Sequence, residues 1–167
     1  MSSLAGSFLV ARAVLQDPSF RRTVVLLLQH GGDGAFGLVV NRPAAVEGLP
    51  FPLYVGGPCE SEGLIMLHGH ADWSEQSADP PEARVAPGVF LGDAACLERA
   101  SDPPPGEHCR FRVFRGYSGW GPNQLEGELA AGAWAIVPAT DTLLFDTPAE
   151  ELWDRLVPPT LPQPSLN

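Results

Sequence analysis

The stretch Thr23-Val24-Val25-Leu26-Leu27-Leu28-Gln29-His30, followed by Gly31-Gly32-Asp33-Gly34 and then Ala35-Phe36-Gly37-Leu38-Val39-Val40, decides how this chain folds. Its first part is β-branched and aliphatic at both odd and even positions. That pattern suits a strand covered on both faces, because a half-exposed strand would alternate with polar residues. The glycine-rich segment punctuates it, and a second strand pattern follows. We read 23–40 as a hairpin ended by Asn41-Arg42-Pro43.

Working outward, Phe8–Ala11 is a short apolar run consistent with a buried strand. Asp17-Pro18 marks a turn or a helix start, since proline fixes its own φ and biases the residue before it. Residues 44–52 read as loop. Leu53–Val55 and Leu64–His68 are short strands flanking Gly56-Gly57-Pro58, a tight turn by composition. Gly69–Gly88, with three prolines, reads as an irregular excursion around Val85. Val89–Leu91 is a strand, and Asp93 can cap a short helix to about Ala100. Asp102–Gly106 is a surface turn, and Phe111–Phe114 a half-exposed strand. Pro122–Ala131 reads as a helix with proline at its first position and Gly132 past its end. Trp134–Val137 is a strand and Ala149–Val157 a helix. Short strands outnumber helices without regular alternation, so the expected class is α+β. We expect a single domain of twisted, coiled mixed β-sheets with a few short helices over residues 1–157, and a disordered proline-rich tail over 158–167.

Composition narrows the function. The 167 residues hold ten cations, all of them arginine, against twenty acids, for a net charge of −10. Such a balance is the wrong footprint for a phosphate backbone, where cations supply most of the affinity. The acidity is uneven: residues 1–50 carry a net +1 and the remainder −11. An anion site is therefore expected to recruit the first third. At 44% hydrophobic the chain can build a core. Cys59, Cys96 and Cys109 lack C-x-x-C spacing, which argues against a disulfide scaffold or zinc ribbon. The opening residues lack a basic then apolar leader, and the longest aliphatic run, Val24–Leu28, is far too short to span a bilayer. We expect a cytoplasmic protein without membrane association.

Three glycine-rich elements deserve a functional question. Gln29–Gly37 lies between strands and lacks the lysine and following helix of a phosphate loop, so a hairpin turn explains it. Tyr54-Val55-Gly56-Gly57-Pro58 is a bend that can bring backbone close to a ligand or simply be a turn. Phe114–Glu126, with Gly116, Tyr117, Gly119, Trp120 and Gln124, reads as a strand entering a loop and then a helix. The first turn of that helix offers free N–H groups to a carboxylate or phosphate, although Glu126 and Glu128 can satisfy the same dipole. Ser118 is out of register for a G-x-S-x-G nucleophile elbow. His68, His70 and Asp72 alternate as two imidazoles and an acid would on one strand face, but no second ligand cluster accompanies them. No metal or cofactor is expected.

These residues carry a resemblance. Leu15–Pro18 with Phe20–Leu27, Gly37–Pro43, Tyr54–Pro58 and Gly116–Glu126 resemble, in order, the motifs of the YqgE/AlgH family over about residues 5–157. The resemblance implies an α+β fold of coiled sheets in small cytosolic bacterial proteins. These are commonly labelled transcriptional regulators, one branch being linked to alginate control, without an established catalytic mechanism. Ser118 departs from the alanine usual there.

The expected function is a non-enzymatic binding or regulatory protein that offers a groove to a small anionic ligand or a protein partner, with any transcriptional effect indirect. Its candidate ligand residues are Asn41, Arg42, Gly56, Gly57, Tyr117, Gly119, Trp120 and Gln124; no catalytic residue is assigned. Arg42 suits bidentate contact with a carboxylate or phosphate, unless an internal partner such as Asp17, Asp93 or Glu126 claims it. Direct DNA binding is disfavoured by charge. A hydrolase using His68, His70 and Asp72 is the enzyme alternative.

Overall fold

Strand β2 (Val24–Gly31) is aliphatic at both parities, and the fold covers both of its faces. The computed structural model describes residues 4–12, 15, 17, 18, 20–44, 53–69, 84–92 and 111–157. β2 turns through Gly32-Asp33 into the antiparallel β3 (Gly34–Val39), with a bulge at Leu28. β1 (Ser7–Ala11) pairs with the other edge of β2, and β9 (Trp134–Pro138) with the outer edge of β1. Beyond β3 come β8 (Phe111–Trp120), β5 (Cys59–His68), β7 (Val89–Gly92) and β6 (Arg84–Ala86). β4 (Leu53–Val55) runs parallel to β8. The sheet curls into a half-barrel.

Two apolar clusters lie on its opposite faces. Phe8, Val10, Val24, Leu26 and Leu38 pack with Leu144, Phe145, Ala149 and Leu152 from the helices α2 (Asp141–Phe145) and α3 (Ala149–Leu156). Leu9, Val25, Leu27 and Val39 pack with Trp120, Trp134 and Leu125, the last from α1 (Gln124–Ala130). Each fully buried aliphatic side chain here contributes roughly 1.5–3 kcal/mol. The three alternating pairs Phe8/Leu9, Val24/Val25 and Leu26/Leu27 show why no polar residue interrupts the stretches Phe8–Ala11 and Val24–Leu28. The indole of Trp153 donates to the Ala11 carbonyl at 2.7 Å and ties α3 to β1.

Strand β8 differs most from the sequence expectation. It does not stop at Phe114; the glycine-rich stretch expected as a loop continues the strand to Trp120. Gly116 permits this by adopting φ +76°, with the carbonyls of Cys59 and Gly57 each 2.9 Å from where a Cβ would stand. Residues 113–115 pair with β4 and residues 118–120 with β3, while β5 follows the opposite edge. The backbone is thus paired across the glycines rather than looped out. Val113 and Phe114 are fully buried, so the expected half-exposure of 111–114 holds only for Phe111 and Arg112.

Smaller corrections follow the same logic. β5 begins at Cys59 rather than Leu64. Part of the expected irregular excursion is β6, which turns through Pro87-Gly88, with Gly88 at φ +75°, into β7. α1 begins at Gln124, two residues after Pro122, because Asn123 takes the left-handed φ of +64°. α2 was not foreseen; Thr140 caps it by accepting from the Leu143 N–H at 3.2 Å. The expected helix 93–100, the 102–106 turn, the 158–167 tail and His70, Asp72, Cys96 and Cys109 lie outside the described residues. No helix among the described residues is long and apolar enough to cross a membrane.

Candidate functional site

The glycines of Val55-Gly56-Gly57-Pro58 form a strap stitched to the sheet on two sides. Gly56 N–H donates to the Arg115 carbonyl at 2.8 Å. Its own carbonyl accepts from Val39 N–H at 2.8 Å and from the Ser118 hydroxyl at 3.1 Å. Gly57, at φ +154°, lies against the Tyr117 carbonyl and Ser118 Oγ, where a Cβ has no room. Ser118 is wholly buried, and its hydroxyl is spent holding this strap.

A cleft opens on each side of the strap. The larger, about 440 Å³, is lined by Val55, Gly57, Pro58, Cys59, Glu60, Gly63, Leu64, Arg115 and Gly116. The smaller, about 270 Å³, is lined by Pro18, Val39, Arg42, Val55, Gly57 and Pro58. The larger lies in the size range of small-molecule sites. It exists because β5 and β8 fall out of step: Cys59 opposes Tyr117 but Leu64 opposes Arg115, so β5 takes five residue steps against two in β8. The excess chain bulges away and leaves the hollow.

Arginines stand at both clefts in different states. Arg42 donates from Nη2 to the carbonyls of Pro18 and Arg21, each at 3.1 Å, and so ties the Asp17–Arg22 turn to the end of β3. Burial lowers its pKa, and the charge of Asp17 opposes that shift. Of the internal partners weighed for it, Asp17 is the one beside it, Glu126 is engaged by His30, and Asp93 is outside the described residues. The exposed Arg115 side chain makes no hydrogen bond or ion pair among the described residues.

The candidate residues divide between two places. Asn41 accepts from Val24 N–H at 2.9 Å and donates to the Arg22 carbonyl at 3.1 Å, which fixes the turn that carries Arg42. Gly56, Gly57 and the backbone of Tyr117 join Arg42 around the strap, and the Tyr117 ring packs 4.9 Å from Phe36. Gly119 is exposed opposite Phe36, further along β8. Trp120 and Gln124 belong elsewhere. Trp120 opposes Ala35, whereas Val39 at the other end of β3 meets Gly56, a separation of roughly 13 Å along the strand. Trp120 is buried beside Phe20 and Trp134, and its indole donates to Glu128 at 3.1 Å. Gln124 accepts from Gly121 N–H at 2.9 Å, closing the turn into α1. Arg115 and Glu60 were not singled out by sequence; the Arg-Gly step at 115–116, a cation beside a backbone kink, was the available signal.

His68 is completely buried and stacks on Phe90 at 5.6 Å within the sheet, and it lines neither of these two clefts. His30 and Glu126 form a second half-buried pair at 2.8 Å. The Leu4 N–H donates to His30 Nδ1 at 3.0 Å, so the ring proton sits on Nε2 and points at Glu126. That hydrogen bond is the main cause holding the Glu126 carboxyl below its ordinary pKa. Both ring nitrogens are engaged. No group of three or more His, Cys, Asp or Glu with metal-holding geometry occurs among the described residues.

The AlgH-like family profile matches residues 8–160. A UPF0301 protein of Nitrosococcus oceani is 33% identical, covering 88% of this chain and 84% of that protein. One from Anaeromyxobacter dehalogenans is 36% identical, covering 93% and 87%. The solution structure of the AlgH protein from Pseudomonas aeruginosa superposes with a TM-score of 0.69 at 28% identity, covering 92% of this chain and 87% of that one. A crystal structure of a Corynebacterium diphtheriae protein gives a TM-score of 0.73 at 23% identity, over 98% and 90%, and shares the fold.

Proposed function

The chain belongs to the AlgH-like family, and from that footing we propose that it is a cytosolic binding protein of regulatory type, holding a small anionic ligand or an acidic group of a protein partner at the Val55–Pro58 strap. One observation carries this reading: the strap is the shared wall of two clefts, and each cleft has an arginine. Gly57 keeps the strap without side-chain bulk, so a ligand can approach the backbone. Arg42 is already invested in two carbonyls and acts mainly by giving the smaller cleft a positive wall. Arg115 has its donors available for a carboxylate or phosphate. The gathered groups are suited to holding a ligand, and any influence on transcription is indirect.

A thermal-shift panel of anionic metabolites tests this. At least one anion is expected to raise Tm, and Arg115→Ala, Arg42→Ala or both are expected to reduce that rise while remaining folded by circular dichroism. A rise that persists in full in both variants, or no rise with any anion, overturns the proposal.

A further inference from the structure

The larger cleft presents a second charge, and it is negative. Glu60 lines the same hollow as Arg115. The two are not paired with each other, and neither is in an ion pair or side-chain hydrogen bond with any described residue. A pure anion approaching Arg115 meets the repulsion of Glu60, and a pure amine approaching Glu60 meets that of Arg115. A molecule carrying both charges satisfies both walls.

Apart from the Cys59 thiol, the rest of the described lining is apolar or bare backbone. Leu64 is 46% exposed, one of only two large hydrophobic residues so exposed among those described. It opposes Arg115 across the β5–β8 ladder. Val55 and Pro58 face the same space, and Gly57, Gly63 and Gly116 add no side chains. Covering Leu64 on binding is favourable because it takes apolar surface out of water.

We propose that this cleft binds a zwitterionic α-amino acid with an apolar side chain, its carboxylate on Arg115, its ammonium on Glu60 and its side chain against Leu64, Val55 and Pro58. This rests on the reading that the strap carries the ligand site, and it names the class of ligand. It also sets the order of affinities: an α-amino acid binds better than the same skeleton lacking either charge, because each truncated analogue leaves one charge of the cleft facing an unlike neighbour's empty place.

Cys59, half-buried in the same lining, reports occupancy. The probes are L-leucine, 4-methylpentanoate, which lacks the ammonium, and 3-methylbutylamine, which lacks the carboxylate. The rate of Cys59 alkylation by iodoacetamide is followed by peptide mass mapping, which separates it from Cys96 and Cys109. Affinities come from saturation-transfer NMR on the full chain. L-leucine is expected to slow Cys59 alkylation, and each truncated analogue to bind at least about tenfold more weakly, the scale of one charge-assisted hydrogen bond. Arg115→Gln and Glu60→Gln are each expected to weaken leucine by a similar factor with Tm unchanged, since both side chains are exposed. Equal binding of 4-methylpentanoate and L-leucine overturns the zwitterion while leaving the anion reading in place. No binding of L-leucine, alongside an anion whose Tm rise depends on Arg115, likewise overturns this inference alone. No binding of L-leucine together with no anion-induced rise overturns both.

Discussion

Gly57 is the residue with least freedom in the candidate site. Its φ of +154° and the contacts awaiting a Cβ from the Tyr117 carbonyl and Ser118 Oγ combine backbone and packing penalties. Gly57→Ala is expected to cost about 1–3 kcal/mol, the usual range for forced overpacking, read from the urea midpoint. A variant within 0.5 kcal/mol of the parent, roughly the scatter of surface substitutions, would show that the strap yields. Glu126 makes a different prediction. Its pKa is lowered in the folded protein by the bond from His30, so its contribution is complete above the unfolded glutamate pKa of about 4.3 and is lost as pH falls through the lower folded value. Glu126→Gln keeps an acceptor for His30 and removes the charge. Its stability deficit is therefore expected at neutral pH and to vanish in acid, measured as urea midpoints across that range. A deficit independent of pH would contradict the linkage.

Besides Glu126, which bonds His30 of β2, helix α1 has a second carboxylate tied to the sheet side. Glu128 Oε1 accepts from the indoles of Trp120 at 3.1 Å and Trp134 at 2.8 Å, and Trp134 and Trp120 are both nearly buried. Glu128→Ala strands two indole donors and is expected to cost roughly 2–6 kcal/mol, at about 1–3 per unsatisfied buried group, with a change in tryptophan emission. Loss below 1 kcal/mol would mean that water replaces the carboxylate. No pattern in the sequence marks Glu128, because a glutamate on a short helix reads as solvated. β2 was legible because aliphatic residues at both parities admit few other readings. β8 was not: Gly116 and Gly119 look like loop residues until β3, β4 and β5 are seen to pair around them. Of the candidate residues named from sequence, the strap glycines and Arg42 are brought together by the fold, but which carbonyls Arg42 would satisfy was not legible. That depends on where the Asp17–Arg22 turn leaves Pro18 and Arg21 unpaired. Arg115 and Glu60 escaped notice because their meeting depends on a register shift, which local sequence does not encode.

At the scale of the whole molecule, the proposed role rests on a charge balance that is unfavourable to contact with a phosphate backbone. No helix among the described residues is basic: α3 carries Glu150, Glu151 and Asp154 against Arg155, in keeping with the net −10. A gel-shift assay in about 50 mM salt, where electrostatic binding is strongest, is expected to show no retarded duplex at about 10 µM protein, well inside the range of ordinary non-specific affinity. A salt-sensitive band there would contradict the indirect role. The pairing order also fixes how the chain can be assembled while it is being made. The β2–β3 hairpin can close within the first forty residues, but β1 meets β9 only when residues 134–138 have emerged from the ribosome. Until then one flank of the earliest hairpin unit lies open, an edge on which neighbouring nascent chains can pair. Slow synthesis should therefore reduce soluble yield more than a destabilising change of equal size in the finished protein.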